Sequence, residues 1–174
     1  MKFGRAWAMP SANTFEIKPI GALIARHLHG LSVDPFANKN RLATVTNDLD
    51  PDMKCDFTLD AKDFLKTFKD SSVECVLFDP PYSTRQISEH YKRLGKTVNM
   101  ETTQASFWGG LKKEIGRIVK DGGTVLSFGW NSGGIGKGLG FDIEEILLVA
   151  HGGWHNDTIC TVERKRKTQR RLFN

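Results

Sequence analysis

Cysteine, histidine and long apolar runs are scarce in this chain, and each scarcity excludes something. The three cysteines, Cys55, Cys75 and Cys160, are scattered, with no C-x-x-C pair. An odd, isolated set supports neither a zinc ribbon nor a disulfide framework. The expected compartment is therefore reducing: the cytoplasm or, for a phage-encoded chain, the host's cytoplasm. No stretch approaches the ~20 consecutive apolar residues of a membrane helix, so no membrane partner is expected. Residues 1–13 lack the apolar core of about 7–15 residues found in secretory signals. His151 and His155 stand at i, i+4, but in a Gly-Gly turn with no third ligand, so no metal is expected.

What remains fits one domain over residues 1–174, long enough for a sizeable core. Hydrophobic residues make up 39% and charged residues 26%, as in ordinary globular chains. The net charge of +5 is unevenly spread. Six of the 25 Lys and Arg lie within 164–171, so the rest of the chain carries 19 basic against 20 acidic residues. A second basic excess, Arg85, Lys92, Arg93 and Lys96, faces Glu89 alone. Basic clusters attract polyanions, nucleic acid first among them, with a solvated surface and a frayed tail as the plainer alternative.

Periodicity orders the elements. Residues 1–13 read as irregular. Ile20, Leu23, Ile24 and Leu28 follow helical spacing, with Pro19 in the tolerated first turn. Short strands are expected at LSVD, at 42–48 and at 55–60, and a short helix over 60–68 capped by Asp60. The continuous apolar run 74–78 predicts a buried strand. Residues 83–100 read as a mobile polar loop. A helix is expected over 104–120, stopped by Gly122-Gly123, then a strand over 124–130. A closing pair follows at 145–150 and 157–165. Strands alternating with helices and ending in a strand pair predict an α/β fold with a mostly parallel sheet. Ligands of such sheets bind beyond the carboxyl ends of the strands. Asp34, Asp48, Asp60 and Asp79 all fall at predicted strand ends.

The stretch Asp79-Pro80-Pro81-Tyr82 ends the buried strand. Two prolines fix two φ angles and make the stop rigid. TFEIKP at 14–19, DPFA at 34–37, an acid at Asp48 and the pattern Asp60, Ala61, Phe64 precede it in order. In this set the chain resembles the S-adenosylmethionine-dependent, adenine-specific DNA methyltransferases, whose signature is [DNS]-P-P-[YFW]. The resemblance implies a Rossmann-like class I methyltransferase fold with an antiparallel carboxy-terminal strand pair. It implies S-adenosylmethionine as cofactor and S-adenosylhomocysteine as product. It places Asp79, Pro80, Pro81 and Tyr82 in catalysis. It assigns Phe15, Lys18, Pro19, Asp34, Pro35, Phe36, Ala37, Asp48, Asp60, Ala61, Phe64 and Asp79 to the cofactor, Asp48 on the ribose and Asp60 on the adenine amino group. Trp154, with His155 beside it, or else Trp130, would complete a pocket for a base rotated out of the duplex.

The motif's physics agrees. An exocyclic amino group is a poor nucleophile, because its lone pair is delocalised into the ring. Asp79 can accept one amino hydrogen and the Pro80 carbonyl the other, aiming the lone pair. Tyr82 offers a flat face to the base.

Two departures stand out. Asn38-Lys39-Asn40 replaces the family's glycine-rich turn, and only residues 35–42 separate the first two predicted strands, too few for the usual crossover helix. Nor is a separate target-recognition domain expected. Readout is expected from Ser83, Arg85, Gln86, Tyr91, Lys92 and Arg93 and from the tail, Arg164, Lys165, Arg166 and Lys167, with low or short sequence specificity. A homodimer could add DNA-binding surface. The alternatives are an RNA adenine or other amino-group methyltransferase of the same fold, or a nucleic-acid-binding protein with a degenerate cofactor pocket. GGIGKGLG at 133–140 is no phosphate-binding loop: Gly138 follows Lys137 where Ser or Thr is needed.

Overall fold

Seven strands form one sheet at the centre of the computed structural model, which describes residues 1–81 and 105–167, and of 105–107 the backbone alone. The strands are β1 (Lys2–Trp7), β2 (Ser32–Asp34), β3 (Val45–Thr46), β4 (Val73–Phe78), β5 (Val119–Gly129), β6 (Phe141–Ala150) and β7 (Thr158–Lys165). Their order is β1-β6-β7-β5-β4-β2-β3. All neighbours are parallel except β7, which runs antiparallel to both β5 and β6. The carboxyl ends of β1, β2, β4, β5 and β6 therefore share one edge with the start of β7.

Burial on both faces explains the apolar run of β4. Cys75 and Leu77 face α1 (Lys18–His27), packing with its Ile20, Leu23 and Ile24. Val76 and Phe78 face α2 (Ala61–Lys66) and α3 (Ala105–Ile118), packing with Phe64, Leu65, Leu111, Ile115 and Ile118. Successive strand residues alternate faces, so a central strand covered on both sides must be apolar throughout. Each fully enclosed Leu, Ile or Phe contributes about 1.5–3 kcal/mol. Helix starts agree with the sequence: Pro19 lies in the first turn of α1, and Asp60 caps α2, its Oδ1 accepting from Lys62 N at 2.9 Å.

Four expectations are corrected. Residues 2–7 form an edge strand, not an irregular segment. The alternation was masked because Phe3 and Trp7 point outward at 64% and 65% exposure, while small Gly4 and Ala6 face inward. The strand is held by its ladder to β6 and by Lys2 Nζ, 3.5 Å from the buried Glu145, which also pairs with Arg26 and His27. The expected strand at 55–60 shrinks to a single bridge, Asn47 to Phe57. The strand at 42–48 shrinks to Val45–Thr46. Helix α3 ends at Ile118, and β5 begins directly, with Gly122 at φ +78 beside an irregularity in the β4–β5 register. As the short spacing implies, no helix separates β2 from β3.

Candidate active site at the carboxyl edge of the sheet

Strand order reverses beside β2, since β3 pairs on one side of it and β4 on the other. Such a switch point opens a crevice at the carboxyl edge. Asp34 forms its floor. It is 1% exposed, and its Oδ1 accepts from Phe36 N at 3.0 Å across Pro35. Burial pushes its carboxyl well above the ordinary range. Asp79 and Asp48 push the same way, against the Phe36 N–H and Arg41. The geometry thus brings Asp34, Asp48 and Asp79 within electrostatic reach of one another, as expected from their strand-end positions.

Asp48 is 8% exposed, and backbone donors hold both its oxygens: Asn38 N to Oδ2 and Asp50 N to Oδ1, each at 2.9 Å. The Asn38-Lys39-Asn40 departure is resolved here. Asn38 sits at φ +49, and asparagine enters this left-handed region more readily than other residues with a Cβ. Arg41 donates to the carbonyls of Asn38, at 3.0 Å, and of Asn40 and Met53. A tight turn clamped by a carboxylate and a guanidinium replaces glycine and a crossover helix.

Asn47, not among the expected site residues, ties this turn to the next segment. It is fully buried. Its Nδ2 donates to Pro35 O at 3.1 Å and Leu59 O at 3.0 Å, and its Oδ1 accepts from Leu59 N at 2.9 Å. This side chain stands in for the missing third-strand ladder and sets Asp60, half-buried, beside the crevice. Its only sequence signal was a polar residue next to Asp48 at a strand end.

Several candidates move to the core. Phe64 has no exposed surface and packs against Phe57 and Phe68 at ring distances of 5.4 and 5.1 Å. Ala61 belongs to the same cluster. Phe15 is 5% exposed and packs against Phe128, ring centroids 4.9 Å apart and the rings tilted by 51°. Phe64, expected at the cofactor pocket, is thus enclosed in the core cluster beneath α2. Phe36 is half-buried, 6.1 Å from Phe78; Lys18 is exposed and Pro19 half-buried at the start of α1.

Across β4 from this crevice lies a cavity of about 320 Å³. Phe78, Pro80 and Pro81 form one wall, and Ser127 to Asn131, at the end of β5, another. Trp108 and Lys112 of α3 and Gly134 complete the lining. Asp79 is half-buried and Pro80 buried. Four aromatic residues, Phe78, Trp108, Phe128 and Trp130, and two prolines beside one lysine suit a planar heteroaromatic group. Ser127 Oγ is buried with no hydrogen-bond partner among the described residues. Of the two aromatic candidates, Trp130 lines this cavity. Trp154 and His155 are exposed in the β6–β7 turn, at the same sheet edge but outside the lining. His151 is buried and structural, bonded to Ala8 O and Thr158 Oγ1 at 2.9 Å each. Among the described residues no His, Cys, Asp and Glu cluster suits a metal.

Arg164 to Lys167 lie elsewhere. Because β7 is antiparallel, Arg164 pairs with Thr124, five residues back from Gly129, or roughly 17 Å from the site edge at about 3.3 Å per residue. These cations serve the fold. Arg164 pairs with Glu144 at 2.7 Å and Arg166 with Asp142 at 3.3 Å. Lys165 Nζ caps the end of α3 through Gly116 O and Val119 O at 2.8 and 2.7 Å. Lys167 passes Gly122 at the same far end. Arg164, Lys165, Arg166 and Lys167, expected to contact nucleic acid, thus lie toward the end of the sheet away from the cavity. Tyr82, Ser83, Arg85, Gln86, Tyr91, Lys92 and Arg93 lie outside the described residues.

No protein-family model matches the chain, and no curated protein matches it. Solved structures do. TrmN from Thermus thermophilus superposes at a TM-score of 0.54 with 16% identity, covering 86% of this chain, which spans about half (49%) of TrmN. The 1,6-didemethyltoxoflavin-N1-methyltransferase of Burkholderia thailandensis, solved with its substrate and S-adenosylhomocysteine, gives 0.58 at 10% identity, covering 86% of this chain and 78% of that one. The Haemophilus influenzae protein HI0767 gives 0.52 at 10% identity, covering 86% and 96%. With the strand order and the single antiparallel strand, these likenesses establish a Rossmann-like class I methyltransferase fold.

Proposed function

We propose that this chain transfers the methyl group of S-adenosylmethionine to the exocyclic amino group of adenine in nucleic acid, DNA in the first instance. The observation that carries the reading is the rigid Asp79-Pro80-Pro81 stop at the end of β4, with an acidic crevice on one side and an aromatic cavity on the other. A methyl donor and a planar acceptor would meet at the stop.

The crevice fits the cofactor. Asp48 uses one acceptor position on each oxygen for a backbone N–H, and a carboxylate oxygen has a second. Those positions suit ribose hydroxyls. In the turn at 35–38 Ala37 is fully buried and Phe36 half-buried, so Phe36 would offer an apolar face to the cofactor. Asp60 would take the adenine amino group of the cofactor. When bound, S-adenosylmethionine supplies an activated sulfonium methyl, so the protein needs no nucleophile of its own.

The chain's residues orient the acceptor. Asp79 accepts one amino hydrogen and the Pro80 carbonyl the second, which turns the nitrogen lone pair toward the crevice and stabilises positive charge developing on nitrogen. The prolines hold that carbonyl in place before the acceptor arrives. Trp130, about half exposed at the cavity mouth, offers a stacking face, and Tyr82 would offer another. Stacking tolerates any base; the two acceptors at Asp79 and Pro80 select an amino group.

Incubation with methyl-labelled cofactor and duplex DNA, single-stranded DNA or RNA, followed by nucleoside analysis, tests the reading. Labelled N6-methyladenine in at least one polymer is expected, with DNA labelled most. Label confined to RNA would change the polymer. Its absence from adenine in all three would overturn the reading.

A further inference from the structure

Between Trp130 and the short helical turn Lys137–Leu139, the cavity wall has no regular structure, and one side chain from another strand holds it. Glu163 of β7 is fully buried. Its Oε2 accepts from Ile135 N at 2.6 Å and its Oε1 from Gly136 N at 2.9 Å. Burial pushes this carboxyl up, and the two N–H groups together with Lys112 of α3 only partly offset it. Gly134 passes directly over the carboxylate. A Cβ there would lie 2.2 Å from Oε2, and φ is +48. Ile135, 5% exposed, plugs the loop into the core, and Asn131 Oδ1 accepts from Gly133 N at 2.9 Å. The glycines that failed as a phosphate-binding loop therefore allow close passage over a buried acid.

We infer that Glu163 is a positioning residue for the acceptor: it pins the 131–136 loop and so fixes the Trp130–Gly134 wall against Pro80 and Pro81. This rests on the cavity being the acceptor pocket. Glutamine in its place keeps the shape but turns an NH2 toward one of the two backbone N–H groups, so the loop loses one anchor.

The test uses the full chain with three variants, Glu163→Gln, Gly134→Ala and Trp130→Ala. The acceptor probe is a short single-stranded oligodeoxynucleotide with one adenine, its binding followed by fluorescence anisotropy; cofactor affinity is measured by calorimetry. Loss of one buried hydrogen bond predicts about tenfold weaker oligonucleotide binding, and a matching rise in KM, for Glu163→Gln. Cofactor affinity and kcat at saturating acceptor should stay within about twofold. Gly134→Ala should give the same split while leaving the carboxylate in place. Equal loss of cofactor and acceptor affinity in both variants would show a merely structural role and overturn the inference. Unchanged oligonucleotide binding in both, with Trp130→Ala weakening it, would overturn the role of Glu163 and leave the pocket standing. Unchanged binding in all three would remove the pocket reading and the inference together.

Discussion

Two irregular segments flank Asp79, and both are held by a buried carboxylate that takes two backbone N–H groups. On the crevice side, Asp48 holds Asn38 and Asp50. On the cavity side, Glu163 holds Ile135 and Gly136. The difference lies in reach. Asp48 is 8% exposed at the edge of the crevice, so it can hold the turn and still offer acceptor positions to a ligand. Glu163 has no exposed surface and can only position. The backbone follows suit: Asn38 supplies the positive φ where there is room for a side chain, and Gly134 where a side chain would strike the carboxylate. An acid in contact with a backbone nest is thus either a binder or an anchor according to its exposure.

Between these two segments, the largest effect is expected at Asp48. Asp48→Ala should weaken S-adenosylmethionine binding by about 10–100-fold, since a charged acceptor and the anchor of the turn go together. Calorimetry measures it; unchanged affinity would make Asp48 an anchor like Glu163. Next come the two positive-φ positions. Gly134→Ala should destabilise the fold by about 1–3 kcal/mol through overlap and a left-handed backbone. Asn38→Gly should stay within about 0.5 kcal/mol of the parent. Urea unfolding compares them directly, and equal costs would dissolve the distinction.

Asp34 gives a smaller, pH-dependent effect. Its native pKa is raised, first by burial, so the folded state binds its proton more tightly than the unfolded chain. Its contribution therefore turns unfavourable as pH rises from about 3.9, the unfolded value, through the raised native value. Asp34→Asn, whose Oδ1 can still accept from Phe36 N, should raise Tm at about pH 7, by about 2–4 °C per kcal/mol relieved. The gain should vanish below about pH 3.5, where aspartate is protonated in both states. A gain independent of pH would refute the assignment. The smallest effect is expected far from both segments: Arg166→Ala should change oligonucleotide affinity by less than about twofold and leave its salt slope unaltered. A shallower slope would return the tail to the binding surface.

The parts legible in the sequence were those written by local chemistry. The buried β4 run, the Asp60 cap, Pro19 in the first turn of α1 and the acids at strand ends are each set by neighbours in the chain. What stayed hidden depends on partners distant in sequence. β1 is a strand because β6 offers an edge, and its outward Phe3 and Trp7 erase the usual alternation. Asn47 matters because Pro35 and Leu59 converge on it. Glu163 stands in a basic stretch of the sequence, yet it lies beneath a loop 27 residues earlier. Arg164 to Lys167 suggested a polyanion surface, whereas the antiparallel run of β7 carries them toward the far end of the sheet.

The central claim is that Asp79 and the Pro80 carbonyl together aim an amino group at the cofactor. Single-turnover methyl transfer to an adenine-containing oligonucleotide, wild type against Asp79→Ala with cofactor binding measured in parallel, tests it most directly. Loss of one of two aimed acceptors predicts a transfer rate about 10²–10⁴-fold lower with cofactor affinity retained. Transfer at the wild-type rate from the alanine variant would contradict the account.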